Sequence, residues 1–399
     1  LPVGSLRRVK ALVFERKELR YAAAAVASRV SPGSGAQVGP LRLKDVDAPD
    51  LPGDGWVRVY PQLAGICGSD LATVAGKSSR YVDPLVSFTF VPGHEVLGEI
   101  EDGTRVALEP VLGHSCRGEA PPFADAAPGD GDDYGYLLAG PIDDGIQTGY
   151  CASTGGGWGT ELVAHQSQLH TIPDDLTDEA AVMLEPAAGG VHTAFKARIE
   201  PGDTVVVQGT GTMGLCALAA IRRYTDAGTI VAAAKYTHQR SFAERLGADV
   251  VVAPGELKRA VRRVSGCRMI GNDLSGGADV TIDAVGSADS IQTSLSITRP
   301  RGRVVMLGMP GVTKLDLTPL WHRETELVGS YTYGTEHLPD GSTAKSFEMA
   351  FDLVRDADMG QMVSALYPLS RYKDALRHAA EAGPRGAIKV AFDLRAEKR

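Results

Sequence analysis

From about residue 186 the chain repeats one pattern: an apolar, β-branched run, then a helical period, then another apolar run. Residues 204–208 (TVVVQ) read as a strand, 215–224 as a helix and 230–234 as the next strand. Residues 239–246 then read as a helix, and 249–253, 279–284 and 303–307 as further strands. Such alternation folds as a doubly wound α/β unit, a parallel sheet covered by helices on both faces. Between the first strand and the first helix stands Gly209-Thr210-Gly211-Thr212-Met213-Gly214. This G-x-G-x-x-G run sits in the strand–turn–helix context that gives it meaning. Its first glycine permits a tight turn, its second lets backbone N–H groups approach a pyrophosphate, and its third allows close helix–strand packing. The helix N-terminus adds partial positive charge. Gly209, Gly211, Thr212, Met213 and Gly214 are therefore the expected cofactor-binding residues, and the unit a dinucleotide-binding Rossmann domain.

The end of the second strand selects the dinucleotide. An NAD site usually places Asp or Glu there to accept the ribose 2′-hydroxyl. Here the run is Ala233-Ala234-Lys235-Tyr236-Thr237-His238-Gln239-Arg240, without a carboxylate. Lys235 and Arg240 suit a 2′-phosphate, which favours NADP over NAD; the plainer alternative is two cations solvating a loop.

Before residue 186 the texture differs. Gly, Pro and short strands dominate, with 57–60 and 163–169 reading as strands. Three groups there have metal-binding character: Cys67 with Ser69 and Asp70 in GICGSD, His94 and Glu95 in PGHE, and Glu185 in LEP. A thiolate, an imidazole and carboxylates form a workable zinc set with a position left open, where the metal would act as a Lewis acid on a carbonyl or hydroxyl oxygen. Singly, each has a dull explanation; ahead of a dinucleotide fold they are more specific. The stretch 119–145, dense in Gly, Pro and Asp, reads as a surface loop. Past residue 333 the segments 346–355 and 372–382 look helical and 388–392 strand-like.

Composition narrows the classes. With 41 Lys plus Arg against 49 Asp plus Glu, the formal charge is −8, unlike the basic balance of a general nucleic-acid binder. No apolar run reaches the roughly 20 residues of a membrane helix, so neither nucleic acid nor membrane is an expected partner, and the expected compartment is the cytoplasm. Five scattered cysteines do not suggest a disulfide framework.

Taken in order, GICGSD (65–70), PGHEVLGEI (92–100), RVALEP (105–110), GGGWGTELV (155–163), LEPAAGGVHTA (184–194), GTGTMG (209–214) and GADVTIDAVG (277–286) resemble the zinc-containing medium-chain dehydrogenases. That superfamily includes alcohol, sorbitol, threonine and glucose dehydrogenases. The resemblance implies a GroES-like, mainly-β catalytic domain built from 1–187 and 334–399, with a Rossmann domain at 188–333. It implies that Cys67, His94 and Glu185 ligate one catalytic zinc, and that Glu95 is a ligand or a close, exchanging neighbour of it. Asp70 would orient His94, Ser69 would pass on the substrate's hydroxyl proton, and Lys389 would approach the cofactor pyrophosphate. Glu185 stands where alcohol dehydrogenases carry a second cysteine and sorbitol-type enzymes a glutamate. The implied reaction is hydride transfer between NADP(H), or NAD(H), and a small secondary alcohol, polyol or ketone, in a homodimer or homotetramer joined through the edge strand of the dinucleotide domain, at 303–307 and the stretch following it.

The chain departs from the family in places. Position 72, a relay histidine in many relatives, is alanine. Many relatives hold a structural zinc with four cysteines after the ALEP segment; here that region has only Cys116 and Cys151, with His114 as a third candidate, so no structural zinc is expected. Tyr81, Phe88 and Phe90 either line a substrate pocket or anchor their loop to the core. Two other readings compete: a reductase of specialised metabolism acting on an imine or activated double bond, and a non-catalytic nucleotide-binding protein.

Overall fold

Two compact units make up the computed structural model, which describes residues 7–397. Residues 1–6 and 398–399, within the outer bounds expected for the catalytic domain, lie outside the described residues. One unit comprises the described residues up to Glu185 together with those from Asp358 on; the other is Pro186–Ala357. The second unit thus extends beyond the expected limit at residue 333. The helix Ser346–Asp356 buries Phe347, Ala350, Leu353 and Val354 on one face, and Tyr224 donates a 2.8 Å hydrogen bond to the Met349 carbonyl. An amphipathic stripe of that width needs an apolar partner, and it finds one inside this unit.

In the first unit the strand Trp56–Gly65 is the organiser. It pairs antiparallel with Val96–Glu99, Lys389–Asp393 and Leu162–His165. The sheet order runs Val363–Tyr367, Lys389–Asp393, Trp56–Gly65, Val96–Glu99, Arg105–Leu108, Leu169–Thr171. Ala64 lies opposite Val96 and Gly65 opposite Ala391. Cys67, the His94–Glu95 pair and Lys389 are therefore delivered to one end of the same sheet. The end is pinned by Gly65 N–H to the Glu95 carbonyl (2.8 Å) and Ile66 N–H to the Val390 carbonyl (3.0 Å). Trp158 is fully buried below it, edge-on to Phe392 and donating Nε1–H to the Gly65 carbonyl at 3.2 Å. The expected strand 163–169 is interrupted: Leu162–His165 and Leu169–Thr171 are separated by a turn whose His165 Nδ1 accepts from Ser167 N–H.

Several helices went unread in the sequence, among them Leu257–Ser265, Ala288–Ile297 and Glu18–Val30. Glu18–Val30 connects the two strands of the ribbon Arg8–Phe14 and Leu41–Asp47. Only Ala24 and Ser28 of it are buried, so its alanines carry helix propensity without the apolar period that betrays a helix.

The second unit is a six-stranded parallel sheet in the order Val250–Val252, Thr229–Ala233, Thr204–Gln208, Ala278–Asp283, Thr298–Met306, Glu326–Gly329. Its central strands Thr204–Gln208 and Thr229–Ala233 are near-continuous Val/Ile/Ala runs, as strands buried on both faces require. The edge strand of this sheet is Glu326–Gly329, in the stretch that follows 303–307, while Thr298–Met306 lies one strand in. Among the described residues no helix is long and apolar enough to cross a membrane.

Candidate metal centre and nucleotide turn

The chain leaves Trp56–Gly65 and turns at once into the helix Gly68–Val74, with Cys67 as its N-cap residue. Asp70, in the first turn, reaches back so that Oδ2 accepts the Cys67 backbone N–H at 3.0 Å. Its other oxygen faces His94 Nδ1 at 3.5 Å. His94 and Glu95 come from the turn just before Val96–Glu99, where Gly93 adopts φ +97°. A side chain at position 93 would place Cβ 2.4 Å from Trp158 Cδ1, so glycine is required for the turn to close over the tryptophan. Gly65 is constrained from the other side: a Cβ there would lie 1.8 Å from Glu95 Oε2.

These constraints bring ligand atoms of Cys67, His94 and Glu95 within 4.8 Å of one another. Among the described residues it is the only such group of His, Cys, Asp and Glu. His94 and Glu95 are buried and Cys67 half-buried. One soft thiol, one imidazole and one carboxylate match the donor chemistry zinc prefers. Burial opposes a charge on His94, yet Asp70 and the Cys67 side chain overcome it and hold the imidazole well above its usual range. The neighbours that favour a proton on His94 would favour a metal cation in its place, with the imidazole giving up that proton on ligation.

Glu185 is not part of that group. It lies in the first turn of the helix Leu184–Lys196 and is near enough to help hold the charge on Lys389. The structure instead shows a partner for Glu95. The Lys389 ammonium contacts both Glu95 oxygens, with side-chain exposures of only 2% and 1%. Burial disfavours the ammonium, but Glu95 first, then Cys67 and Glu185, raise its pKa above the ordinary lysine value. Lys389, for which the family resemblance implies a place near the cofactor pyrophosphate, is thus buried against Glu95. Lys389 opens the last strand, and sequence alternation alone does not mark it as buried.

Ser69 is half-buried one residue along from the Cys67–Gly68 step. Tyr150 backs His94 with its ring centroid 6.2 Å away and bonds its hydroxyl to Thr73 Oγ1 at 3.2 Å. Burial pushes its phenol far above the usual range. Of the three aromatics in the 71–92 stretch, Phe90 is an anchor, 2% exposed and stacked on Phe14 at 5.1 Å. Phe88 is 40% exposed and Tyr81 86%.

In the second unit, Thr204–Gln208 runs into Gly209 at φ +92° and then into the helix Thr212–Tyr224. A Cβ at Gly214 would sit 1.9 Å from the Gly209 carbonyl oxygen, whereas one at Gly211 would meet nothing within 4 Å. The third glycine is needed for packing, and the second leaves open backbone at the helix N-terminus. That is the geometry of an anion cradle. Thr212 and Met213 form the first turn, half-buried. Beyond Thr229–Ala233, Lys235 is exposed with its ammonium 5.5 Å from the Tyr236 ring centroid. Arg240 is half-buried on the helix Thr237–Arg245. Among the described residues neither cation forms a salt bridge with a carboxylate. His192 bonds Glu336 Oε1 at 2.6 Å inside this unit.

Comparison with known proteins gives a consistent picture. Residues 53–174 match the alcohol dehydrogenase GroES-like domain, and residues 212–354 match the zinc-binding dehydrogenase family. Sorbitol dehydrogenase of Bacillus subtilis is 27% identical over 354 residues, covering 86% of this chain and 91% of that protein. L-idonate 5-dehydrogenase of Vitis vinifera is 27% identical over 375 residues, covering 89% and 92%. In fold, the chain superposes on acetophenone reductase from Geotrichum candidum in complex with NAD with a TM-score of 0.70, at 20% identity and 99% and 100% coverage. With its GroES-like catalytic unit and Rossmann dinucleotide-binding unit, this chain belongs to the zinc-containing medium-chain dehydrogenase/reductase superfamily, as a zinc-dependent oxidoreductase of the alcohol and polyol dehydrogenase kind.

Proposed function

We propose that this protein is an NADP-preferring dehydrogenase of small secondary alcohols or polyols, with one catalytic zinc per chain. The observation that carries the reading is the juxtaposition of Cys67, His94 and Glu95 at one sheet end. Cys67 and His94 would hold the metal, with Glu95 and Glu185 as the carboxylate ligands or exchanging neighbours. Zinc held there supplies Lewis-acid polarisation of the substrate oxygen, and the nicotinamide supplies the hydride acceptor or donor.

The rest is the work of the chain's own side chains. Ser69 would take the proton of the substrate hydroxyl and hand it on to solvent, since position 72 carries alanine and offers no relay imidazole. Asp70 fixes the ring of His94. Lys389 restrains Glu95, so that its carboxylate stays beside the thiol and imidazole as a paired anion. Gly209, Gly211, Thr212, Met213 and Gly214 would receive the pyrophosphate. Lys235 and Arg240, at the end of the second strand where no carboxylate stands, would pair with a 2′-phosphate. Polyol and sugar-acid dehydrogenases among the relatives, including a sorbitol dehydrogenase and an L-idonate 5-dehydrogenase, support a polyhydroxy substrate, as does glutamate at position 185. Val312, Leu317 and Trp321, respectively 98%, 50% and 79% exposed before the edge strand, support assembly as a homodimer or homotetramer.

The deciding experiment is initial-rate turnover of a panel of secondary alcohols, polyols and ketones with NADP(H) and NAD(H), on wild type and Lys235→Ala/Arg240→Ala. The reading expects a higher kcat/KM with NADP(H), falling roughly tenfold or more in the double variant while NAD(H) turnover holds. Equal cofactor use before and after the substitutions would refute the NADP assignment. Turnover confined to imines or activated double bonds would favour the reductase reading.

A further inference from the structure

Residues 112–151, which hold Cys116 and Cys151, are where a second metal would be sought. The thiols there are not arranged as ligands. Cys116 Sγ–H points to the Gly113 carbonyl at 3.0 Å and Cys151 Sγ–H to the Asp143 carbonyl at 3.4 Å. Both are buried beside Trp56, Leu112, Ile142 and Val163. Burial pushes the Cys116 thiol up to about 12 and raises Cys151 as well, and among the described residues neither belongs to a group of His, Cys, Asp and Glu side chains placed to hold a metal. His114, the third candidate, is stacked on Tyr136 at a centroid distance of 3.9 Å. The residues of this lobe do not fit a structural zinc.

What the lobe has at its centre is a cation of another kind. Arg117 is 2% exposed. Its Nε donates to the Leu112 carbonyl at 3.2 Å and Nη1 to Ala139 at 2.8 Å; Nη2 donates to Gly145 at 2.8 Å and Asp143 at 3.4 Å. Among the described residues no carboxylate forms an ion pair with it. One planar fork therefore ties together points of the chain up to 28 residues from itself, using backbone acceptors alone. The chain is shaped to allow it: at Gly140, φ +86°, a Cβ would stand 2.3 Å from the Arg117 carbonyl oxygen. At Gly145 a Cβ would stand 2.5 Å from Cys151 Cβ. A bound metal cross-links a loop by gathering ligands from separated positions, and the guanidinium does the same with carbonyl dipoles.

We propose that the Arg117 guanidinium is the internal cross-link of this lobe, standing in for a structural metal, and that the lobe closes without one. The inference rests on the zinc-dehydrogenase reading only for the second metal it excludes; Arg117's contacts carry the rest. The 119–145 stretch is accordingly not a plain surface loop. Ala127, Tyr136, Leu137 and Ile142 are buried within it.

The test follows hydrogen exchange and limited proteolysis across 112–151 in the metal-loaded protein, before and after removal of metal with EDTA, and in Arg117→Lys and Arg117→Ala. Expected is loss of metal and activity on chelation with unchanged protection of the lobe. Lysine keeps the charge but cannot fork, so both variants should be cleaved within 119–145 at least about tenfold faster, with their metal-to-chain ratio unaltered. If Arg117→Ala fails to fold, Arg117→Lys and the wild-type chelation result still decide. Opening of the lobe on chelation would overturn the proposal. So would wild-type protection in the Arg117 variants, or a metal equivalent lost specifically from Cys116→Ala/Cys151→Ala. Native protein devoid of metal with a protected lobe would sink the zinc reading and support the Arg117 assignment.

Discussion

Replacing Lys389 by methionine should destabilise the first unit severely, and replacing Glu95 at the same time should restore much of the loss. Both side chains are essentially inaccessible and each is the other's charge partner. Removing one member of a buried pair strands the other, at a cost of about 3–5 kcal/mol. Glu95→Gln alone strands the ammonium, though Cys67 and Glu185 still favour its charge, so its cost should fall at the lower end. The double variant buries no unmatched charge and leaves a neutral amide beside a thioether. The two single losses should therefore exceed the double loss by about 2 kcal/mol or more. For a unit of this size each kcal/mol moves the midpoint by about 2–4 °C, so Lys389→Met alone should lower Tm by about 6–20 °C. Scanning calorimetry on the four-protein cycle, run with metal bound and after chelation, measures this. Additive single effects below about 2 °C in chelated protein would refute the reasoning, because the pair would then be energetically idle.

Three further outcomes are expected. Gly93→Ala combines an unfavourable φ with a clash against Trp158 and should cost about 2–4 kcal/mol by denaturant unfolding; an unchanged midpoint would contradict it. Asp70→Asn keeps the shape but weakens the acceptor facing His94, so zinc affinity measured by competition with a chelator should fall about 10–100-fold. Asp393 has its pKa lowered chiefly by the hydrogen bond from Arg395. Its pairing contributes stability above the ordinary aspartate range, lost as pH falls through the depressed folded value. Arg395→Gln should flatten that acid limb in urea melts at pH 3–5 and leave the slope near neutrality alone, whereas an unchanged acid limb would refute the assignment.

The Rossmann unit was largely legible because its central strands are uniform apolar runs and its glycine turn is dictated by sterics: Gly214 has no room for a side chain and Gly209 takes a positive φ. Its boundary was not legible, because Ser346–Asp356 is amphipathic and nothing in that pattern says which unit it packs on. Cys67, His94 and Glu95 were each visible, since ligand chemistry is carried by residue type. Lys389 and Arg117 were hidden for the opposite reason. A cation in a strand or a polar loop ordinarily points to water, and its burial depends on partners distant in sequence, Glu95 for one and four backbone carbonyls for the other. Glu18–Val30 was missed because alanines on an exposed surface helix leave no hydrophobic period.

Metal content by elemental mass spectrometry, on wild type and Cys67→Ala, tests the central claim most directly. The account predicts about one zinc per chain in the wild type and a near-complete loss in the variant. About two per chain, or one that survives Cys67→Ala, would contradict it, and so would wild-type protein that takes up no zinc at all.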